Sequence, residues 1–345
     1  MLSEFLNLKK FLSFRQILDN LKTFKAARKP IRGYMQTQAL FSLMETGLLE
    51  ELENSPKVNL EDFARRRGLD GSILNCLCRY LSRSGFLLTE ENDVALSNKG
   101  KGFLSRTRGV FQIFLAYKPY FDHLTPLAQK GVKLDDLERR DEWVARGFRD
   151  TGARITFRVM KAIAKNKNWS SMIELGCGSL DLTSFMAEGW PEFRALGIDY
   201  DPRFLQEAEK LRQQNKLADR VKLKQLDVFE LQPSEEYGQY QVVAAVDFFH
   251  GYFWEGEERL LQMLKAIKEA FPGKDFLISE MVMADAAKMG NIAYPYVEHE
   301  LFHDLTKQRT FGEGQLEELL QKAGFEVVET WPMRNLAART FIHFR

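Results

Sequence analysis

A glycine-containing turn after a short apolar run is the first candidate for a functional site in this chain. Residues 171–181 read SMIELGCGSLD, in which Glu174 lies near the end of the apolar run and Gly176 and Gly178 follow it. A strand, a glycine turn and a helix allow a backbone to approach a nucleotide-like ligand without side-chain collision. A second apolar run ends on Asp199, and an acid about twenty residues beyond such a turn suits hydrogen bonds to two ribose hydroxyls.

The sequence of this turn distinguishes between two families of nucleotide-binding fold. The dehydrogenase fingerprint requires a third glycine, which this chain lacks. The E-x-G-x-G pattern instead resembles the S-adenosylmethionine (SAM) turn of class I methyltransferases, although that family usually has a glycine where this chain has Leu180. The resemblance implies a SAM site in which Asp227 lies by the adenine amine and Asp247 by the methionine part. The predicted cofactor-binding residues are Glu174, Gly176, Gly178, Asp199, Asp227, Val228 and Asp247.

Three of the five histidines fall in a loop-rich part of the second half, at His250, His299 and His303. His299 and His303 are four residues apart and would share a helix face, where a histidine pair can bind a metal ion. With Glu300 between them the text reads H-E-L-F-H, the pattern of zinc peptidases. Because the motif follows the fifth strand of the predicted SAM domain, we do not expect peptide hydrolysis. The three histidines remain candidate ligands for a divalent metal.

Composition excludes several classes of protein. The chain has 345 residues, 45% of them hydrophobic, and a formal net charge of +1. Charged residues interrupt every apolar run well before the roughly 20 residues that a membrane span needs, and Lys9 and Lys10 break any signal-peptide core. Three cysteines without a metal-type repeat are typical of a reducing compartment. We therefore expect a cytoplasmic protein with no membrane partner.

The first half of the chain is predicted to be helical. Apolar residues at helical spacing occupy residues 3–24, and Pro30 is expected to open a helix that Gly47 closes. Asn59 can cap a later helix, and residues 86–100 read as a hairpin. Helices followed by a hairpin indicate a winged-helix domain.

A winged helix can bind DNA, but the sequence favours a packing role here. The helix that would enter the groove offers only Arg79 and Arg83, and its face carries Leu74, Leu77 and Leu81. The small net charge also gives no sign of a basic surface. No nucleic-acid partner is therefore expected.

From residue 171 onward, strands alternate with helices. This alternation predicts an α/β fold with a parallel, doubly wound sheet and an antiparallel strand at its end. The predicted domains are a mainly α winged-helix dimerisation domain over 1–106, a helical linker over 107–167 and a Rossmann-like SAM domain over 168–345.

Together, these domains resemble the small-molecule O-methyltransferase family, which also contains C-methylating members. The resemblance extends over roughly residues 30–345. It implies a small-molecule acceptor, a role in natural-product biosynthesis and a homodimer joined through the N-terminal domain.

The same resemblance implies the catalytic residues. In VDFFHGYFWEGEERLL, His250 matches the family's catalytic histidine, although Gly251 stands where the family commonly has Asp. Glu280, at the end of FLISE, matches an acid that orients this histidine in plant-type members. The segment VEHELFHDLTKQRTF, which contains His303, corresponds to the helix that lines the acceptor site.

Three functional hypotheses remain open. In the first, His250 is a general base that takes a proton from an oxygen or carbon acceptor. In the second, His250 with His303 or His299 holds a divalent metal that chelates an α-keto acid, which is then methylated on carbon. In the third, the protein is a winged-helix regulator whose SAM domain senses a ligand, and the presence of His250 favours an enzyme over this regulator.

Overall fold

The computed structural model describes residue 7 and residues 9–283, 296–333 and 338–345. The chain divides into two compact units, over residues 1–111 and 112–345. The linker boundaries at 107 and 167 stay a prediction. None of the described helices combines the length and the apolar character that a bilayer crossing requires.

The first unit opens with a long helix, α1, over Phe14–Glu45. Ser13 caps it, because its hydroxyl accepts a hydrogen bond from the backbone N–H of Gln16 at 3.3 Å. The prediction that Pro30 opens a helix is wrong, since Pro30 lies inside α1. A proline deprives the carbonyl four residues earlier of its partner, but this stretch of α1 is exposed and water can reach that carbonyl.

Three shorter helices and a small sheet complete the first unit. The helices are α2 (Leu48–Asn54), α3 (Leu60–Arg67) and α4 (Gly71–Arg83). The antiparallel strands are β1 (Val58–Asn59), β2 (Leu87–Glu90) and β3 (Asp93–Leu96), in the order β1-β3-β2. Asn59 caps α3 and the hairpin of β2 and β3 is present, as predicted. The winged-helix class of this unit stays a prediction.

Helices lead from the first unit to the sheet of the second. They are α5 (Asn98–Ala116), α6 (Lys118–Asp122), α7 (Leu124–Ala128), α8 (Asp141–Gly152) and α9 (Thr156–Asn166). A 3₁₀ turn over Leu134–Asp136 separates α7 from α8. Most of residues 107–167 are therefore helical, while the linker itself stays a prediction.

A seven-stranded sheet forms the centre of the second unit. Its strands are β4 (Ser171–Leu175), β5 (Arg194–Asp199), β6 (Val221–Gln225), β7 (Val242–Val246), β8 (Asp275–Met281), β9 (Val327–Met333) and β10 (Arg339–Phe344). They lie in the order β6-β5-β4-β7-β8-β10-β9, and β10 is antiparallel to both of its neighbours whereas the other pairs are parallel. The predicted α/β fold is confirmed.

Helices connect these strands and cover the sheet. They are α10 (Asp181–Ala187), α11 (Pro202–Gln214), α12 (Glu235–Gly238), α13 (His250–Phe253), α14 (Glu257–Ala270), α15 (Tyr296–Leu305) and α16 (Gln315–Lys322). Successive side chains of β4 enter opposite cores: Met172 packs with residues of α9 and α10, and Ile173 with residues of α14 and α16. Both faces of the sheet are therefore buried.

The strand order indicates where a ligand would bind. From β4 the chain proceeds outward through β5 to β6, and it then returns to the other side of β4 with β7. Ligands of doubly wound sheets bind beyond the carboxyl ends of the strands at such a reversal. The turn after β4 and helix α13 after β7 both lie at this edge.

Candidate active site

The turn between β4 and α10 requires glycine most strictly at residue 176. Gly176 has φ +64° and Gly178 has φ +50°. A Cβ atom on Gly176 would lie 2.5 Å from Cδ2 of Phe248, closer than real carbon contacts permit. Leu180, in the family's glycine position, has φ +70° and is fully buried. The turn thus keeps the left-handed conformation at Leu180 and adds an apolar side chain to the core.

Glu174 is buried beneath this turn. Its Oε2 accepts hydrogen bonds from the backbone N–H of Thr183 at 3.2 Å and from its hydroxyl at 2.5 Å. Burial raises the pKa of Glu174 to about 8. The side chain therefore ties the end of β4 to the first turn of α10.

Asp199 lies against the glycine turn at the end of β5. It accepts the backbone N–H of Gly178 on one oxygen and that of Asp201 on the other, each at 2.9 Å. Burial raises the pKa of this carboxyl group above its ordinary value. An ionised carboxylate has about four acceptor positions, so Asp199 retains capacity for two ligand hydroxyls.

Asp227 and Val228 follow β6 at the same edge. Asp227 accepts the backbone N–H of Phe229 at 2.9 Å, and Val228 is buried. The ring of Phe229 meets that of Tyr252 edge-on at 5.8 Å. Burial, followed by the charges of Asp227 and Asp199, raises the pKa of Tyr252. Tyr252 therefore lies close to two acids of the predicted cofactor site.

Asp247, predicted to contact the cofactor, is engaged by another residue. Its two oxygens accept two parallel hydrogen bonds from Arg339 of β10, each at 2.6 Å. Both side chains are largely buried. A bidentate pair of this kind is geometrically specific, and it fixes β7 to β10. Any contact of Asp247 with a cofactor stays a prediction.

His250 and Glu280 meet at the ends of β7 and β8. His250 Nδ1 lies 3.1 Å from Glu280 Oε2, and the other Glu280 oxygen accepts the backbone N–H of Phe249 at 2.5 Å. A carboxylate can only accept here, so Nδ1 carries the proton. On the far side of the ring, His250 Nε2 faces Oε1 of Gln308 at 3.2 Å. The pair predicted from sequence is therefore brought together.

His299 and His303 are brought next to His250 by α15. The ring of His303 lies 5.2 Å from that of His250 and 4.1 Å from that of His299. His303 Nδ1 donates to the carbonyl oxygen of His299 at 2.9 Å, which leaves Nε2 as its lone-pair nitrogen. Glu300 is exposed whereas both histidines are buried, so the glutamate of H-E-x-x-H lies on the other face of the helix.

The three histidines differ in proton affinity. Burial lowers the pKa of His250, but the charge and hydrogen bond of Glu280 outweigh it, and the pKa is raised overall. Burial, with a smaller contribution from His250, lowers the pKa of His303 to about 3. Burial and the other two histidines lower that of His299 well below its ordinary value. His299 and His303 are therefore neutral at physiological pH.

The geometry gives a mixed result for a metal ion. Among the described residues, the group whose possible ligand atoms all lie within 4.8 Å of one another is Asp247, His250 and Glu280, and the three histidines do not form such a group. An ion bound by Asp247 would compete with Arg339. Nε2 of His303 carries a lone pair that a divalent metal accepts readily, whereas Nε2 of His250 faces Oε1 of Gln308 and would bind a metal only after that amide moved away.

Three residues near the histidines were not singled out from the sequence. Gln308 lies in the segment that matches the acceptor-lining helix and Arg339 lies in an ordinary mixed segment, and their contacts with His250 and Asp247 depend on tertiary structure. Arg139 lies in the charged run LERRDEW, within the predicted helical linker. Its charge nevertheless contributes to the lowered pKa of His303.

Comparison with known proteins finds methyltransferases. A family model described as a methyltransferase domain matches residues 173–271. The chain is 25% identical over 311 residues to the 2-ketoarginine methyltransferase of Streptomyces arginensis, which covers 88% of each chain.

Two solved structures share the fold. The mitomycin 7-O-methyltransferase MmcR superposes with a TM-score of 0.71 at 17% identity, over 95% of this chain and 99% of the other. Human N-acetylserotonin methyltransferase, solved in complex with SAM, superposes with a TM-score of 0.67 at 15% identity, over 94% and 97%.

Proposed function

We propose that this chain, a class I SAM-dependent methyltransferase, methylates a carbon atom of a small 2-oxo acid with His250 as the general base. The observation that carries the proposal is the buried pair of His250 and Glu280, set beside two neutral histidines. The name of the 2-ketoarginine methyltransferase supports a 2-oxo acid as the acceptor. The enzyme assignment replaces the alternative of a ligand-sensing regulator.

The cofactor half of the proposal concerns the ends of β4, β5 and β6. Asp199 would accept the ribose hydroxyls, and Asp227 and Val228 would contact the adenine. Gly176 and Gly178 would face the methionine part, and the other predicted residue, Glu174, would hold the turn in place. The support is that Asp199 accepts an N–H from Gly178 yet retains acceptor capacity.

The acceptor half concerns a proton on carbon. The hydrogens next to the ketone of a 2-oxo acid, on C3, are acidic because the resulting carbanion is delocalised onto the ketone oxygen. Once the acceptor displaces Gln308 from His250 Nε2, this nitrogen would take a C3 proton, while Glu280 stabilises the imidazolium through Nδ1. The electron pair of C3 would form a bond to the methyl carbon of SAM, while the bond from that carbon to the sulfonium sulfur breaks and S-adenosylhomocysteine leaves as a neutral thioether. His303 would line the acceptor site.

A second candidate mechanism places a divalent metal at His250 and His303 or His299. Hydrogen bonds from Nδ1 orient both His250 and His303. Histidines that bind a metal through one ring nitrogen are commonly oriented by a hydrogen bond from the other. A metal held there would polarise the ketone and carboxylate oxygens of the acceptor. Activity that a chelator abolishes and a divalent metal restores would favour this version, and activity that survives chelation would favour the metal-free base.

We also propose a homodimer joined through the first unit. Apolar side chains of α1 are exposed in the single chain, between 38% and 73% of their surface: Leu18, Leu21, Phe24, Ile31, Tyr34 and Met35. An exposed apolar face of this extent is typical of an interface. Light scattering should give a mass near twice the 40.0 kDa of the chain, and L21E with F24E should reduce it. A wild-type monomer at micromolar concentration would contradict the dimer. The cytoplasmic location and the biosynthetic role stay predictions.

The experiment that tests the function is an acceptor panel. Purified protein and SAM would be incubated with 2-ketoarginine, phenylpyruvate, the corresponding 2-hydroxy acids and a set of phenols, and S-adenosylhomocysteine would be quantified. We expect turnover with at least one 2-oxo acid and none with the hydroxy acids, which have no acidic C3 proton. Turnover restricted to phenols would replace the proposal with O-methylation.

A further inference from the structure

We infer that Arg139 binds the carboxylate of the acceptor and thereby selects 2-oxo acids over neutral ketones. This inference rests on the proposed function, and it assigns the recognition of the substrate's charge to one side chain. Arg139 lies in the segment before α8, in the second unit, and nothing in its sequence context indicates such a role.

The guanidinium of Arg139 lies at the end of a row of aromatic rings that leads to the histidines. Its Cζ is 5.9 Å from the ring centre of Tyr117. Tyr117 stacks on Phe302 at 4.1 Å, and Phe302 stacks on His303 at 4.8 Å. All three rings are buried. A cation therefore borders an apolar wall that continues to the acceptor histidines.

Asp141 holds one edge of this guanidinium. Arg139 Nε donates to Asp141 Oδ1 at 2.7 Å, and the other oxygen of Asp141 lies 3.7 Å from Arg203. The side chain of Arg203 is 76% exposed whereas that of Arg139 is 29% exposed. Asp141 thus joins the largely buried side chain of Arg139 to the exposed side chain of Arg203.

The remaining donors suit a carboxylate. A guanidinium has five N–H groups, of which Asp141 takes one. Two parallel N–H groups match the two oxygens of a carboxylate in a bidentate pair. Arg339, also near the histidines, is already paired in this way with Asp247. Arg139 could therefore form a bidentate pair with a ligand carboxylate, whereas Arg339 already forms such a pair with Asp247.

The charge of Arg139 acts on residues of both predicted sites. Its charge contributes to the lowered pKa of His303 and opposes the raised pKa of Tyr200, the residue after Asp199. Arg139 therefore acts on both the acceptor helix and the border of the cofactor site. In a 2-oxo acid, C3 is two bonds from the carboxylate carbon, so an anchor here would set the position of C3 between base and methyl group.

The test compares R139M with R140M. Arg140 is a matched control because its side chain has a similar exposure, 31%, but pairs with Glu142 and lies over Trp143. With phenylpyruvate and 2-ketoarginine, we expect R139M to raise the acceptor KM about 10- to 100-fold, the range of a lost hydrogen-bonded ion pair. R139K should fall between, because lysine keeps the charge without the fork. R140M should resemble wild type.

Two further readouts separate recognition from structure. The KM for the methyl ester of phenylpyruvate should be nearly the same in R139M and wild type, and the SAM affinity should not change. A KM of R139M equal to that of R140M, or a loss of SAM affinity in R139M, would overturn the inference while leaving the proposed function intact. Wild-type protein that methylates no 2-oxo acid would remove the proposed function and the inference together.

Discussion

On the cofactor side of the second unit, the polar groups at the sheet edge come from strand ends close together along the chain. Glu174, Gly178 and Asp199 lie within one strand–turn–helix–strand segment and bond to its backbone. On the acceptor side, His250 meets Glu280 from thirty residues away and Gln308 from fifty-eight. The first site is fixed by local backbone geometry and the second by tertiary packing.

The two sides also differ in how their surroundings shift the pKa values of their ionisable groups. On the cofactor side, burial raises the pKa of acids, Glu174 and Asp199. On the acceptor side, burial keeps His299 and His303 neutral, and only His250 gains proton affinity from a paired carboxylate. We therefore expect substitutions on one side to affect cofactor affinity and those on the other to affect turnover.

The largest effect should come from His250, on the acceptor side. H250A should lower kcat about 10²- to 10⁴-fold, because a general base contributes that much, and SAM affinity should remain close to wild type. Single-turnover kinetics and calorimetry with SAM would measure the two quantities. H123A is the control, since His123 Nδ1 bonds the carbonyl of Pro119 rather than a site residue. Wild-type turnover in H250A would exclude His250 as base and as metal ligand.

The next effect concerns the backbone of the cofactor side. G176A should weaken SAM binding by at least about tenfold, because its Cβ would displace the ring of Phe248 at the turn. G189A is a matched control: Gly189 also has a positive φ, +62°, but has no atom within 4 Å of the added Cβ. G189A should lower stability by only about 1 kcal/mol and leave SAM affinity unchanged. Equal SAM affinity in both variants would refute the close-approach argument.

The smallest effect concerns pH and Glu174. Its folded pKa of about 8 lies above its unfolded value, so the unfolded chain releases the proton first as pH rises. This group should therefore lower the free energy of unfolding between about pH 4.5 and 8, by at most about 1.4 kcal/mol per pH unit. E174Q, which can still accept from Thr183, should lack this slope. Urea unfolding at several pH values would measure it, and parallel curves for the two proteins would contradict the assignment.

The same contrast explains what could be predicted from sequence. The glycine turn and Asp199 were recognisable because their spacing within one βαβ unit encodes their geometry. His250 and Glu280 were found through a family resemblance, and the histidine pair through its helical spacing. Arg139 was missed, and Gln308 was not singled out within the acceptor-lining segment, because their contacts depend on which distant segments pack together. The prediction that Pro30 begins a helix was wrong, because a capped, solvent-exposed helix tolerates the hydrogen bond that an internal proline removes.

The central claim is methylation of carbon beside the ketone of a 2-oxo acid. The most direct measurement is the NMR spectrum of the product formed from phenylpyruvate or 2-ketoarginine with SAM that carries a ¹³C-labelled methyl group. We predict that the labelled methyl protons couple to a single proton on C3, as expected for a methyl group bound to that carbon. A labelled methyl group on oxygen, without coupling to C3–H, would contradict the account.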